Sequence, residues 1–193
     1  YIGSRGLGDV YKRQGLKNNA KWVLAEGSDS SGMTRSIPIE KIKDDCIIAW
    51  AMNGEALRPE QGYPIRLVVP GWEGNMWVKW LRRIEFGDKP YMTREETSKY
   101  TDLLSNGKAR MFTWVMDAKS VITSPCPEKP VLQKGIHQIR GLAWSGRGKI
   151  KRVDVSLDGG KNWKTAQLHS PVLEKSLTRF TIPFEWNGEE MLL

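Results

Sequence analysis

Hydrophobic positions along this chain fall in short runs and alternations, not in long helical periods. Lys21-Trp22-Val23-Leu24-Ala25-Glu26 alternates well enough for a strand, and residues 27–32 form a polar loop of turn formers. Arg35-Ser36-Ile37-Pro38-Ile39 is extended, because the residue before a proline avoids the helical region. Residues 39–45 fit a short helix and 46–52 a buried strand or helix end, before a tight turn at Asn53-Gly54. A β-branched run at residues 65–69 predicts a buried strand that Pro70-Gly71 ends. A second strand is expected over residues 76–81, after a loop containing Gly74 and Asn75. Residues 87–108 are polar and predict surface loop with a short helix, while 111–116 and 120–123 return to strand character.

Three prolines in the seven residues 124–130 mark an expected domain boundary. Beyond it short strands recur at close spacing: residues 135–144, 150–157, 163–168 and 179–184, with Asp158-Gly159-Gly160 as a hairpin turn. The expected fold is α+β, mostly β. Residues 15–123 form a first domain, and 124–193 form an immunoglobulin-like β-sandwich that stops before its last strands. Residues 1–14 have no periodic pattern and resemble translated adapter read-through, so they are expected to be a non-native leader. The chain is expected to be an internal fragment of a longer protein.

Composition narrows the picture only a little. With 193 residues, 39% hydrophobic and 27% charged, the chain reads as globular. Nine tryptophans suit packed β-rich cores and clefts. The formal net charge is +8, but the basic residues are dispersed; this argues against nucleic acid and suits an anionic cofactor, an anionic substrate or an acidic protein partner. Cys46 and Cys126 lie far apart without metal-ligand spacing and read as structural thiols. No apolar run approaches the length of a membrane span.

No complete catalytic constellation stands out. His137 and His169 have no metal-ligand pattern around them and fit packing or surface roles. Arg66 and Lys79 are a better signal, because each interrupts an apolar strand. They either run along the sheet to solvent or converge on one anion, Arg as a fork and Lys as a point charge. Asp29 and Gln61 sit in polar loops, where ordinary turn residues are also found. Tyr100, in a charged segment, either packs down onto a core or points its phenol into a cleft.

MNGEALRPEQGYPIRLVVPGWEGNMWVKWLRRIE, then Tyr100, then VITSP and GLAWSGRGKIKRVDVSLDGGKNW, closely resemble the sulfite oxidase family of molybdopterin enzymes over residues 17–193. KARMFTWVMDAKSVITSP and FEWNGEEMLL look most like the molybdenum subunit of bacterial Sox-type sulfite and sulfur dehydrogenases. The resemblance implies a molybdenum cofactor whose pterin phosphate meets Arg66, Trp77, Val78 and Lys79, with Asp29 as an acidic loop contact. Gln61 stands where animal enzymes have histidine. It places the family's active-site tyrosine on Tyr100, where plant nitrate reductases lack tyrosine, and so favours sulfite chemistry. It also implies haem on a partner subunit, a c-type cytochrome acceptor, a homodimer or heterotetramer formed through the sandwich, and a periplasmic location. The family's molybdenum-binding cysteine and upstream substrate arginines precede the residues seen here; neither Cys46 nor Cys126 matches that cysteine, so the chain as it stands is expected to be inactive. A nitrate reductase or other molybdopterin oxidoreductase of the same fold, or a non-catalytic dimerisation module, are the alternative readings.

Overall fold

A computed structural model of the chain describes residues 4–6, 15–131, 133–189 and 191. It divides into two compact units, 1–114 and 115–193. The first unit runs β1 (Ser4–Gly6), β2 (Trp22–Gly27), β3 (Thr34–Pro38), α1 (Ile39–Asp44), β4 (Ile47–Ala49), β5 (Ala51–Met52) and β6 (Glu55–Ala56). It continues through β7 (Arg66–Val68), β8 (Leu81–Gly87), α2 (Arg94–Ser98), β9 (Thr101–Leu103) and β10 (Ala109–Met111). Two sheets, β1-β4-β7 and β3-β2-β8, are accompanied by the hairpins β5-β6 and β9-β10. β1 lies within the stretch expected to be leader, pairing Arg5 with Ile48; residues 1–3 and 7–14 of that stretch fall outside the described residues.

The centre of the first unit is β2. Both of its edges are paired, Val23 facing Ile37 of β3 and Phe86 of β8. Burial is also continuous from Val23 to Gly27, so both faces of β2 are covered and the alternation read from its sequence is not seen. Asn53 and Gly54 both take positive φ, 54° and 85°, between Met52 and Glu55, the geometry that a two-residue hairpin favours.

Two strand expectations change. Residues 76–81 do not form one strand: a 3-10 turn at Gly74–Met76 is followed by irregular backbone, and pairing begins only at Leu81. β10 ends at Met111. The aromatics that follow build a cluster instead, with Trp114 stacked on Trp72 at 4.9 Å and Phe112 at 5.7 Å from Trp22. Ring packing supplies there the apolar burial that an added strand would have supplied.

The second unit contains β11 (Lys119–Ser124), β12 (Gly135–Trp144), β13 (Asp154–Ser156), β14 (Trp163–Thr165), β15 (Gln167–His169) and β16 (Thr178–Trp186). The four-stranded sheet β11-β12-β16-β15 packs with the hairpin β13-β14 around Ile139, Val155, Phe180, Ile182 and Phe184. β16 shows the clean period of two expected of a half-buried strand, with Thr178, Phe180, Ile182 and Phe184 inward and Arg179, Pro183 and Glu185 outward. Gly141 is required where β12 crosses this core, because a Cβ would come within 2.2 Å of the Phe180 ring and 2.6 Å of the Val121 carbonyl.

The domain boundary lies earlier than the proline-rich stretch, since residues 119–124 pair with β12 and belong to the second unit. The single strand expected at 163–168 is also split. β14 pairs with β13, β15 pairs with β16, and between them buried Ala166 donates its N–H to the Val153 carbonyl at 2.8 Å.

The β13–β14 turn is organised by one carboxylate. Asp158 accepts from Asn162 N at 2.9 Å, Asn162 Nδ2 at 2.7 Å, Ser156 Oγ at 2.8 Å and Lys161 N at 3.1 Å. The Asn162 backbone and side chain, then Ser156, lower its pKa to about 2 from 3.8. A depressed carboxyl contributes stability above its unfolded pKa and loses it as pH falls through the folded value. Asp158→Asn is therefore expected to unfold at lower urea than wild type at neutral pH, with the difference shrinking below about pH 4 and vanishing below about pH 2. Urea titrations across that range check it.

Candidate cofactor site

Arg66 and Lys79 converge on one short turn. Pro59–Gln61 forms a 3-10 turn closed by Gly62, which takes φ 104°. Its three carbonyls each receive a side-chain donor: Pro59 O from Trp80 Nε1 at 3.0 Å, Glu60 O from Lys79 Nζ at 2.9 Å, and Gln61 O from Arg66 Nη1 at 3.0 Å. A second guanidinium nitrogen of Arg66 donates to Trp77 O at 3.1 Å. Arg66 and Lys79 are therefore gathered by the turn and the irregular segment 77–80, not presented side by side on neighbouring strands.

The other residues expected at a phosphate site gather here too. Gly27 is the meeting point: a Cβ added to it would lie 2.8 Å from the Lys79 carbonyl, 2.9 Å from Asp29 Oδ1 and 3.4 Å from the Val78 side chain. Asp29 accepts from the Ser31 hydroxyl and from Met33 N, and the Ser31 bond above all holds its carboxyl below the ordinary range against the opposing effect of burial. Val78 is buried, with its carbonyl taken by Leu67 N at 2.8 Å. Gln61 contributes its carbonyl to Arg66, while its side chain turns back to accept from Arg58 N at 3.0 Å and caps its own turn.

Tyr100 is built differently. It follows α2, donating its N–H to Glu95 O at 3.1 Å, and its ring lies 4.2 Å from the guanidinium carbon of Arg35 on β3. Thr93 caps the N-terminus of α2, its hydroxyl accepting from Glu96 N. The helix is fastened to β3 by Arg35–Glu96 and by the Thr34 hydroxyl, which donates to Glu95 at 3.3 Å. Burial would raise the pKa of Glu95, but its bonds from Arg94, its own backbone and Thr34 outweigh burial and hold the carboxyl below the ordinary range. No described hydrogen bond or ring contact joins Tyr100 directly to Arg66 or Lys79; the two parts stand on separate scaffolds within one unit.

Two residues of this region escape sequence reading. Trp80 takes φ 49°, a backbone conformation that a bulky residue rarely adopts, while its carbonyl accepts from Ser28 N at 2.9 Å and its ring lies 4.5 Å from Lys79 Nζ. Arg35 is fully buried, yet between Thr34 and Ser36 it reads like an ordinary surface charge.

Two family models match the chain. The oxidoreductase molybdopterin binding domain matches residues 4–95, so its match begins inside the stretch expected to be leader, and the Mo-co oxidoreductase dimerisation domain matches residues 110–184. The mitochondrial sulfite oxidase of Drosophila melanogaster is 36% identical over 84% of this chain. This chain belongs to the sulfite oxidase family of molybdopterin oxidoreductases. Within that family, the crystal structure of the sulfane dehydrogenase SoxCD from Paracoccus pantotrophus superposes with a TM-score of 0.90 and 59% identity, covering 96% of this chain and 48% of that one. The NADH nitrate reductase of Spinacia oleracea is 34% identical over 84% of the chain. The chain spans 32% of the fly sulfite oxidase and 21% of the spinach enzyme.

The donor set fits the phosphate of the family's pterin. Lys79 has three N–H donors and one described acceptor, the neutral Glu60 carbonyl, and no carboxylate partner among the described residues. Arg66 adds a fork, which reaches the Gln61 and Trp77 carbonyls. Among the described residues no group of three or more His, Cys, Asp or Glu could hold a metal, and no helix is long and apolar enough to cross a membrane.

Gly62 tests how tightly this cradle is built. A Cβ there would lie 2.8 Å from Lys79 Cβ and 3.0 Å from Lys79 Cα, whereas at Gly54, also at positive φ, it would meet open space. Gly62→Ala is expected to cost about 1–3 kcal/mol, more than Gly54→Ala, in urea denaturation of the two variants side by side.

Proposed function

We propose that the protein carrying this chain oxidises sulfite or a related reduced sulfur species by two electrons. The observation that carries the reading is the gathering of Arg66 and Lys79 on the 59–61 turn, with Asp29 beside the Lys79 backbone at Gly27 and Tyr100 in the same unit. The 59% identity to a sulfane dehydrogenase supports sulfur as the substrate element. When bound, the molybdenum cofactor supplies the redox chemistry; the protein supplies binding, orientation and electrostatics.

Arg66 would hold the pterin phosphate through its fork and Lys79 through its ammonium, with Trp77 and Val78 shaping the floor. Asp29 fixes the loop over Gly27 that keeps the Lys79 backbone in place, and Gln61 closes the turn that aligns both cations. Tyr100 would donate its Oη–H to an oxygen of the substrate and hold a proton there during turnover. Electrons would leave through haem on a partner subunit, a c-type cytochrome, in the periplasm. The match to a dimerisation domain supports a homodimer or heterotetramer formed through the second unit. Exposed Val121 and Ile136, on the outer face of its larger sheet, support a subunit contact there.

The nitrate reductase relatives support a second reading, nitrate reduction on the same scaffold. Assays of full-length, cofactor-loaded protein with sulfite, thiosulfate and nitrate separate the two. Oxidation of a sulfur substrate is expected, and nitrate turnover without it would sink the reading. Tyr100→Phe is expected to lower kcat/KM for the sulfur substrate by about 100-fold, the usual scale for losing a positioned acid or base. Unchanged kinetics would remove the tyrosine from the mechanism.

A further inference from the structure

Tyr100 and the Arg66–Lys79 pair stand on different elements, and a buried arginine links Tyr100 to the turn that leads toward the pair. Arg35 and Glu96 both have fully buried side chains. The guanidinium of Arg35 is engaged on every side. Nε and Nη2 meet Glu96 Oε1 and Oε2 at 2.9 and 3.2 Å, Nη1 donates to Asn75 Oδ1, and the flat face lies against the Tyr100 ring at 4.2 Å. Glu96 is fixed in turn by Ser36 N, which donates to Oε1 at 2.9 Å.

The contacts continue past Arg35 toward the cofactor site. Asn75 donates its Nδ2 to Glu73 at 3.0 Å and sits in the turn that leads to Trp77, whose carbonyl accepts from Arg66. A connected path therefore runs from the phenol ring through Arg35, Asn75 and the 74–77 backbone to the phosphate clamp.

A buried ion pair is a poor device for stability, because an apolar pair of the same size avoids its desolvation. What arginine offers that an apolar residue or a lysine does not is a rigid plane that can stack on an aromatic ring while its edges are fixed by a carboxylate and an amide. Glu96 neutralises Arg35, so orientation reaches Tyr100 without net charge.

We propose that Arg35 is the positioning residue of Tyr100: clamped by Glu96 and Asn75, it forms the plate that sets where the phenol points relative to the Arg66–Lys79 cradle. This rests on the reading that Tyr100 works at the cofactor. Arg35 acts through Tyr100 and touches no substrate.

The test uses full-length, cofactor-loaded protein carrying Arg35→Lys, the double change Arg35→Leu with Glu96→Leu, or Tyr100→Phe. Arg35→Lys keeps a charge opposite Glu96 but loses the plane. The double change removes both charges, so no buried carboxylate is left alone. Three quantities are read: kcat and KM with sulfite, Tm, and the NMR ring signals of labelled tyrosine, with Tyr100 assigned from the signal missing in Tyr100→Phe. Both Arg35 variants are expected to lower kcat by about 10- to 100-fold with KM little changed, the scale of a reacting group misplaced by about 1 Å. The Tyr100 ring signals should move toward those of an exposed tyrosine. Should the double variant fail to fold, Arg35→Lys carries the test alone.

Folded Arg35 variants with wild-type kcat, or with the Tyr100 ring unmoved, beside an impaired Tyr100→Phe would overturn the proposal alone. A Tyr100→Phe enzyme with wild-type kcat would overturn the underlying role of Tyr100, and the proposal with it.

Discussion

Backbone carbonyls near a cleft need donors, and cations near apolar strands need acceptors. In this chain the two needs meet at Pro59, Glu60 and Gln61, whose consecutive carbonyls receive Trp80, Lys79 and Arg66. The arrangement fixes the long, flexible side chains of Arg66 and Lys79, together with the Trp80 indole, from a single rigid turn. Because the acceptors are neutral, the positive charge of Lys79 is held in place without being cancelled. An anion arriving there finds donors already aimed and does not have to bear the full entropy of ordering them. Gly27 and Gly62 make the same point from the other side, since each leaves room for Lys79 where any side chain would intrude.

The second unit was largely legible in the sequence because its cues are local. The alternation of β16, the Asp158-Gly159-Gly160 turn and the bounds of β12 need no knowledge of distant residues. The same holds in the first unit for α1 and the Asn53-Gly54 hairpin. Failures came where tertiary contact overrode the local pattern. Residues 76–81 carry the composition of a strand, yet the 3-10 turn at Gly74–Met76 and the left-handed backbone of Trp80 interrupt the extended run, so no ladder forms until Leu81. Phe112 and Trp114 look like strand residues and serve as ring packing instead.

The candidate site was legible in its charges and not in its wiring. Arg66 and Lys79 attract notice because a cation inside an apolar run must be explained. Arg35 and Glu96 are 61 residues apart, and each alone resembles an ordinary surface charge. Nothing in either segment says that the two will be buried against each other beneath an aromatic ring. Trp80 fits the pattern of one more apolar strand position, because left-handed backbone at a tryptophan has no sequence signature.

That left-handed tryptophan also determines how the site can change. Glycine at position 80 would accept the torsion freely but would surrender the indole that tethers the 59–61 turn and lies over Lys79. Asparagine and aspartate, which tolerate left-handed backbone, would ease the torsion in part; the remaining side chains would keep the penalty, and all of them lose the indole N–H. Every single step away from tryptophan therefore gives up the indole tether, and only a few residues gain torsional ease in exchange. Position 80 trades backbone comfort for its hold on the cradle.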